Sequence, residues 1–306
     1  MTLDAAHSVS ARLAIREPFD AAGLLGFLAL RAIPGVEHVT EDRYTRTVRT
    51  AGGSAVIELI PRPGRGQVLL RATLSPAGPS SEPAAGQLAA GQLAAGQLEA
   101  GCRRVLDADA DPAVTDAALA ADELLAPLIR ARPGLRVPGS YDGFELAVRA
   151  VLGQQVSVAA ARTFAGRLAA QHGPPAPPGS PPGLTALFPG PAELAQADLS
   201  RLGLTTSRQR TLRALATAAA AGRLSLDPGA DPAETAARLA ELPGIGPWTV
   251  GYIMMRAGDP DRFLPGDIGL RRAMTQLGAA PERAGRWQPW RSYAVIHLWT
   301  WEADHA

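Results

Sequence analysis

Residues 242–256 read LPGIGPWTVGYIMMR, with two glycines and two prolines set in front of an apolar run. Gly244 and Gly246 permit backbone angles that other residues resist. Pro247 suits the first turn of a helix that follows it. The pattern predicts a tight turn whose N–H groups point outward at the N-terminus of a helix over 247–257. A site of that kind is built from backbone and favours an anion such as phosphate. Thr249 adds a hydroxyl nearby, and the carbonyls of Leu242 and Ile245 are placed to hold a Na or K ion that bridges to the same phosphate. With a second helix expected over 232–241, the stretch reads as a helix–hairpin–helix. An ordinary turn between two packed helices carries the same signal.

The 306 residues are enough for two domains. Residues 20–32 have the spacing of an amphipathic helix, and runs with strand character follow at 43–50, 54–61 and 66–74. The breaks between those runs, AGG and RPGRG, are hairpin signals. They predict an N-terminal α+β domain with an antiparallel sheet over 1–75. Over 84–98 the unit AAGQL occurs three times in succession, and a period of five matches neither helix nor strand. Residues 76–100 therefore read as a low-complexity insertion or linker, partly helical at best. From 101 to 306 the pattern is helical with Pro and Gly punctuation. Segments 113–131, 142–152, 155–171, 191–198, 207–221, 267–277 and 287–301 join the two hairpin helices. Residues 173–183, GPPAPPGSPPG, read as a Pro-rich surface loop. The expected fold class is mainly α with an N-terminal α+β domain.

All 30 basic residues are arginine, and there is no lysine. No side-chain amine is therefore available to form a Schiff base. The single Cys102 excludes an internal disulfide framework, a Cys-based zinc site and a four-cysteine iron–sulfur cluster. A lone Cys reads as a small buried hydrophobe. The net charge of +1 does not announce a nucleic-acid binder. Arginines do cluster at 201–213, 271–272 and 283–291, either as phosphate contacts or as solvated helix faces. No apolar stretch is long enough to span a bilayer, and the first residues lack the basic and apolar regions of a secretory signal. A soluble, cytoplasmic protein is expected.

Downstream, FLPGDIGLRR puts Asp267 just ahead of a helical run. An Asp there is an ordinary N-cap, and the positive end of the helix also favours its ionised form. Trp248 and Tyr252, four residues apart, share one helix face. Four segments then carry a resemblance: LPGIGPWTVGY, FLPGDIGLRRA, RPGLRVPGSYDGFELAVRAVLGQQVSVAAA and WQPWRSYAVIHLWTW. They resemble the DNA-3-methyladenine glycosylase II family of helix–hairpin–helix DNA glycosylases. The N-terminal LLGFLALRAIPGVE is similar too. The likeness covers nearly the whole chain apart from 76–100 and the Pro-rich loop.

The resemblance implies roles for particular residues. Asp267 matches the catalytic carboxylate, which stabilises a cationic sugar as the base leaves and orients the attacking water. Trp248, Tyr252, Trp299 and Phe27 match positions that line a base pocket, where electron-rich rings attract a cationic alkylated base. Gln155, in LGQQVS, falls at the wedge that fills the gap left by a flipped base, where an apolar side chain is the simpler choice. Gly244, Gly246 and Thr249 would grip a DNA phosphate. Gln155 and Gly266 depart from the family pattern; at Gly266 relatives carry a second acid. Trp248 stands where some relatives carry a lysine that attacks the sugar. With no lysine, the implied enzyme is monofunctional: it uses water and leaves an abasic site, in base excision repair. The implied partner is duplex DNA containing alkylated bases, the implied state is a monomer with no membrane partner, and no cofactor is required. Trp287, Trp290 and a satisfied His297 read as core residues.

Three other readings compete. A lesion-binding protein without catalysis has no need of Asp267 beside the pocket aromatics. A glycosylase for oxidised bases often employs a lysine or an iron–sulfur cluster. A methyltransferase that takes the alkyl group onto Cys102 lacks a histidine beside that cysteine to relay a proton.

Overall fold

The computed structural model describes residues 7–50, 52–76, 84–227 and 229–305. Its N-terminal part is an antiparallel sheet of five strands in the order β1-β5-β4-β3-β2. These are β1 (His7–Ala14), β2 (Glu37–Val39), β3 (Tyr44–Thr50), β4 (Gly53–Arg62) and β5 (Gln67–Pro76). Helix α1 (Ala21–Arg31) follows β1 and is capped by the Asp20 carboxylate, which accepts from Gly23 N at 2.8 Å. The three strand runs read from the sequence are β3, β4 and β5, and two strands are additional. β1 sets inward Leu13 between outward Arg12 and Ala14, and Ile15, just past the strand, turns inward again, a period-2 signal that is present in the sequence. β2 is too short to show any period.

Residues 84–98 need a correction. They belong to one continuous helix, α2 (Ala84–Leu106), which packs on β1 and β3. The repeat advances five residues, about 140° around a helix, so its leucines cannot share a face: Leu93 is exposed and Leu98 is buried. The face that docks runs Ala94, Leu98, Cys102, Val105, with helical spacing that begins inside the repeat and continues beyond it. Burying Leu98 or Val105 contributes about 1.5–3 kcal/mol each. Gly101 admits the Tyr141 ring; a Cβ there would lie 2.5 Å from it. Cys102 is fully buried, and burial pushes its thiol up to about 12. A thiol held neutral in a core is no alkyl acceptor, which removes the methyltransferase reading.

The remaining chain is helical. It holds α3 (Pro112–Leu119), α4 (Ala126–Ala131), α5 (Gly143–Leu152), α6 (Val158–His172), α7 (Pro191–Gln196) and α8 (Thr206–Ala220). Then come α9 (Pro232–Ala240), α10 (Pro247–Arg256), α11 (Ile268–Gln276) and α12 (Arg291–Asp304). The single helix expected over 113–131 is two. Between them Asp122 is buried, accepts from Leu124 N at 2.9 Å, and takes the Arg283 guanidinium and the Trp287 indole N–H. The last helix starts at Arg291 rather than 287, because Pro281–Trp287 winds as a 3₁₀ turn and Pro289 follows. Trp287 is core, as expected, and Trp290 packs edge-on to Tyr293 at 6.0 Å. Among the described residues, no helix is long and apolar enough to cross a membrane.

A buried charge network joins the sheet to the helices. Arg46 on β3 reaches Glu145 on α5 at 2.5 Å, and Arg149, one turn on, reaches Glu37 on β2 at 3.1 Å. Tyr44 donates to Glu37 at 2.5 Å. Arg149 also donates to the carbonyl of Arg31, at 2.6 Å, which pins the end of α1. Removing one partner of such a set costs about 3–5 kcal/mol, because a charge is left buried alone.

His297 on α12 lies in the core, 2 % exposed, but it is not satisfied: its Nε2 has no hydrogen-bond partner. Burial, with Arg132 adding to it, pushes its pKa down to about 4 from an ordinary 6.5. A buried neutral His stabilises the fold fully above its unfolded pKa, and that contribution, about 3 kcal/mol, is lost as pH falls from about 6.5 through 4. His297→Leu should flatten the loss of stability over that window in denaturant melts taken at stepped pH. An unchanged acid profile would contradict the assignment.

Candidate active site

Asp267 is both a cap and the centre of a donor cluster. Its backbone is extended, and its Oδ1 accepts from Leu270 N at 2.8 Å, the N-cap bond of α11. The same Oδ1 accepts the Trp299 indole N–H at 2.8 Å, and Oδ2 accepts the Trp248 indole N–H at 3.1 Å. Trp248 comes from the first turn of α10 and Trp299 from α12, so three helices converge on one half-buried carboxylate. A carboxylate has about four acceptor positions; these donors take three and leave one on Oδ2. Gly269 lies beside it: a Cβ there would make ordinary contact with Oδ1, at 3.4 Å, and with Trp299, at 3.6 Å.

The rings expected to line a pocket do come together. Trp248 and Tyr252 stack at 5.3 Å with 13° between their planes, and Tyr252 meets Trp299 at 6.3 Å. Phe27 on α1 packs on the same helical core. Two arginines that sequence reasoning did not single out join them. The Cζ of Arg31 lies 3.7 Å from the centre of the Phe27 ring and that of Arg256 lies 4.9 Å from it. Arg256 also donates to the Tyr252 hydroxyl at 2.9 Å. Both were legible as helical neighbours: Arg31 is four residues after Phe27, and Arg256 four after Tyr252.

The hairpin between α9 and α10 is closed by Ile245 N donating to Leu242 O at 3.2 Å. Gly244 has φ +80, and a Cβ there would lie 2.2 Å from Thr211 Oγ1, so only glycine fits. Gly246 corrects the sequence reading. Its φ of −95 is open to any residue, and a Cβ would meet nothing within 4 Å. What glycine provides there is clear space in front of the first turn of α10, where no side chain caps the N–H groups. Thr249 is also a correction. It is buried, and its hydroxyl is turned inward, accepting from Gln154 Nε2 at 3.0 Å.

Gln154 is the residue sequence reasoning missed here. Its Nε2 donates to both Gly244 O, at 2.9 Å, and Thr249, while Arg208 on α8 donates to its carbonyl. Next to it, Gln155 is exposed with φ +53, a left-handed backbone that costs a non-glycine residue about 1 kcal/mol. That conformation delays α6 until its Ser157 cap, past the expected start at 155. The bonds of Gln154 hold the turn and fasten it to the hairpin. No sequence periodicity marks a contact across 90 residues.

Burial opposes ionisation of the Tyr252 phenol, but Arg256 on α10, Arg31 on α1 and Arg149 on α5 outweigh it and bring its pKa down to about 8. The other three tyrosines, Tyr44, Tyr141 and Tyr293, are raised by burial. An ultraviolet difference titration should therefore show one phenol ionising near pH 8, lost in Tyr252→Phe. A step that survives the substitution would contradict the arrangement.

Residues 10–142 match the family described as AlkA N-terminal domain, and residues 148–288 the HhH-GPD superfamily base excision DNA repair protein. A Mycobacterium tuberculosis protein named probable bifunctional transcriptional activator/DNA repair enzyme AlkA is 41% identical over 302 residues. That match takes in 96% of this chain but 57% of the relative, so the chain spans little more than half of that protein. The Escherichia coli protein named DNA-3-methyladenine glycosylase 2 is 36% identical over 298 residues, covering 94% of this chain and 97% of its own. Among solved structures, the 3-methyladenine DNA-glycosylase of Archaeoglobus fulgidus superposes with a TM-score of 0.75 at 17% identity, over 97% of this chain and 99% of that one. The Clostridium acetobutylicum 8-oxoguanine glycosylase/lyase, bound to DNA, gives 0.72 at 15% identity, over 100% and 99%. At those identities the structures share the fold alone. The chain belongs to the HhH-GPD superfamily of base excision DNA repair proteins, in the family of DNA-3-methyladenine glycosylase 2.

Proposed function

We propose that this protein is a monofunctional DNA glycosylase that flips alkylated purines out of duplex DNA and hydrolyses their N-glycosidic bond. The observation that carries this reading is the Asp267 carboxylate, held by Leu270 N, Trp248 and Trp299 beside stacked aromatic rings. An alkylated purine is cationic, so it leaves as a neutral base when the C1′–N bond breaks and takes the bonding electrons. Positive charge then develops on the sugar, where a fixed carboxylate stabilises it. Water adds at C1′, and its proton passes to Asp267 or to solvent, leaving an abasic site. With no lysine in the chain, no side-chain amine competes with water, so borohydride should trap no lysine adduct.

The hairpin serves the DNA backbone. The free N–H groups at the start of α10, in the space beside Gly244 and Gly246, take a phosphate. A Na or K ion fits at Leu242 and Ile245: the Leu242 oxygen accepts one hydrogen bond and keeps a lone pair, and no described donor takes the Ile245 carbonyl. Such an ion would add positive charge beside the phosphate. Gln155 enters the gap left by the flipped base, and Gln154 couples its position to the hairpin. We place the enzyme in the cytoplasm as a monomer, acting on alkylated duplex DNA.

The test is release of free bases from methylated duplex DNA. Wild type should release methylated purines, and Asp267→Asn should fall by about 100-fold or more with lesion binding kept. Near-normal release by Asp267→Asn would refute its role. Lesion binding without release by either protein would favour a binding module. Gln154→Ala removes two hydrogen bonds of about 1 kcal/mol each, and should weaken binding to an abasic-site duplex about tenfold. Unchanged affinity would disprove the coupling.

A further inference from the structure

The aromatic cluster has a cationic end that bond cleavage itself does not require. Arg256 spends its N–H groups on Pro138 O, Gly139 O and Tyr252. Arg31 is different. Its Nη1 donates to Phe27 O at 3.3 Å, a further hydrogen bond joins it to Tyr252, and among the described residues no carboxylate pairs with it. A guanidinium carries five N–H donors, so the bonds to Phe27 O and Tyr252 leave others over. A guanidinium with donors to spare, and no described carboxylate paired to it, therefore stands over Phe27, against the hydroxyl end of Tyr252.

Helix α10 sets the direction of the site. Trp248, Tyr252 and Arg256 occupy successive turns of one face, so Arg256 lies about 12 Å along the axis from Trp248. Trp248 touches Asp267, where the sugar bond must lie. A purine that enters from Asp267 and stacks over Tyr252 points its six-membered ring at the arginine end. We propose, resting on the excision reading above, that Arg31 is a specificity-determining residue favouring alkylated purines with a carbonyl oxygen at C6 over those with a 6-amino group.

The chemistry follows from donor and charge matching. A guanidinium N–H pairs well with a carbonyl oxygen, whereas it faces a 6-amino group donor to donor. Placing two donors together leaves both unpaired, which is how a site rejects an analogue. Charge acts in the same direction. In a 7-alkylated guanine the positive charge sits on the five-membered ring, nearer the sugar and Asp267. In a 3-alkylated adenine it spreads onto the ring bearing the amino group, where it meets Arg31.

The test compares initial release of 7-methylguanine and 3-methyladenine from one methylated duplex by wild type, Arg31→Met and Arg31→Lys. Methionine keeps the apolar stem on Phe27 and removes the donors; lysine restores a charge and a donor. The ratio of 7-methylguanine to 3-methyladenine should fall about tenfold in Arg31→Met and recover in part in Arg31→Lys. The Tyr252 ionisation should move up in Arg31→Met, which shows that the variant is folded and the charge is gone. An unchanged ratio with that shift in place overturns the proposal. If wild type releases neither base, the excision reading fails instead. Quenching of tryptophan fluorescence by the two free bases then decides Arg31 without catalysis: a preference for 7-methylguanine lost in Arg31→Met supports it, and equal affinities in both proteins overturn it.

Discussion

The rest of the site is arranged around a single carboxylate. Asp267 takes the N-cap of α11 and the indole N–H groups of Trp248 and Trp299 at once. A carboxylate free to rotate would lose part of its electrostatic effect at each turnover; three donors from three helices remove that freedom in advance. The two indoles also fix the aromatic cluster, because their rings must lie where their N–H groups can reach Asp267. Ring placement and charge placement are therefore one constraint.

The N-terminal part matters to this site through α1. The buried set of Glu37, Tyr44, Arg46, Glu145 and Arg149 docks the sheet on α5, and Arg149 then holds the carbonyl of Arg31. Phe27 and Arg31 are thereby brought to Tyr252. On the opposite side, Gln154 ties the turn bearing Gln155 to the hairpin. The aromatic cluster, the carboxylate and the hairpin are thus linked by hydrogen bonds.

Much of this is legible in the sequence alone. The Gly–Pro turn, the Asp cap and the four-residue spacing of Trp248 and Tyr252 are local patterns, and local patterns survive in a sequence. What was not legible falls into two kinds. The AAGQL repeat hid a helix because its own period of five masks the docking face of Ala94, Leu98 and Cys102. The Gln154 and Asp122 contacts depend on long-range packing, for which a single sequence carries no signal. Thr249 and Gly246 show a third effect. The residue types were right for the turn, but the Thr249 hydroxyl faces inward to Gln154, from the turn after α5, and Gly246 takes a φ open to any residue.

The most direct measurement is the single-turnover excision rate of Trp299→Phe on a duplex carrying one alkylated purine. Phenylalanine keeps a smaller aromatic ring beside Tyr252 and deletes the N–H that reaches Asp267. A hydrogen bond to a charged group is worth about 1.5–3 kcal/mol, so the rate should fall about tenfold or more while lesion affinity holds. A rate equal to wild type would mean that the indole donors do not set the carboxylate for chemistry, and the account of this site would be wrong.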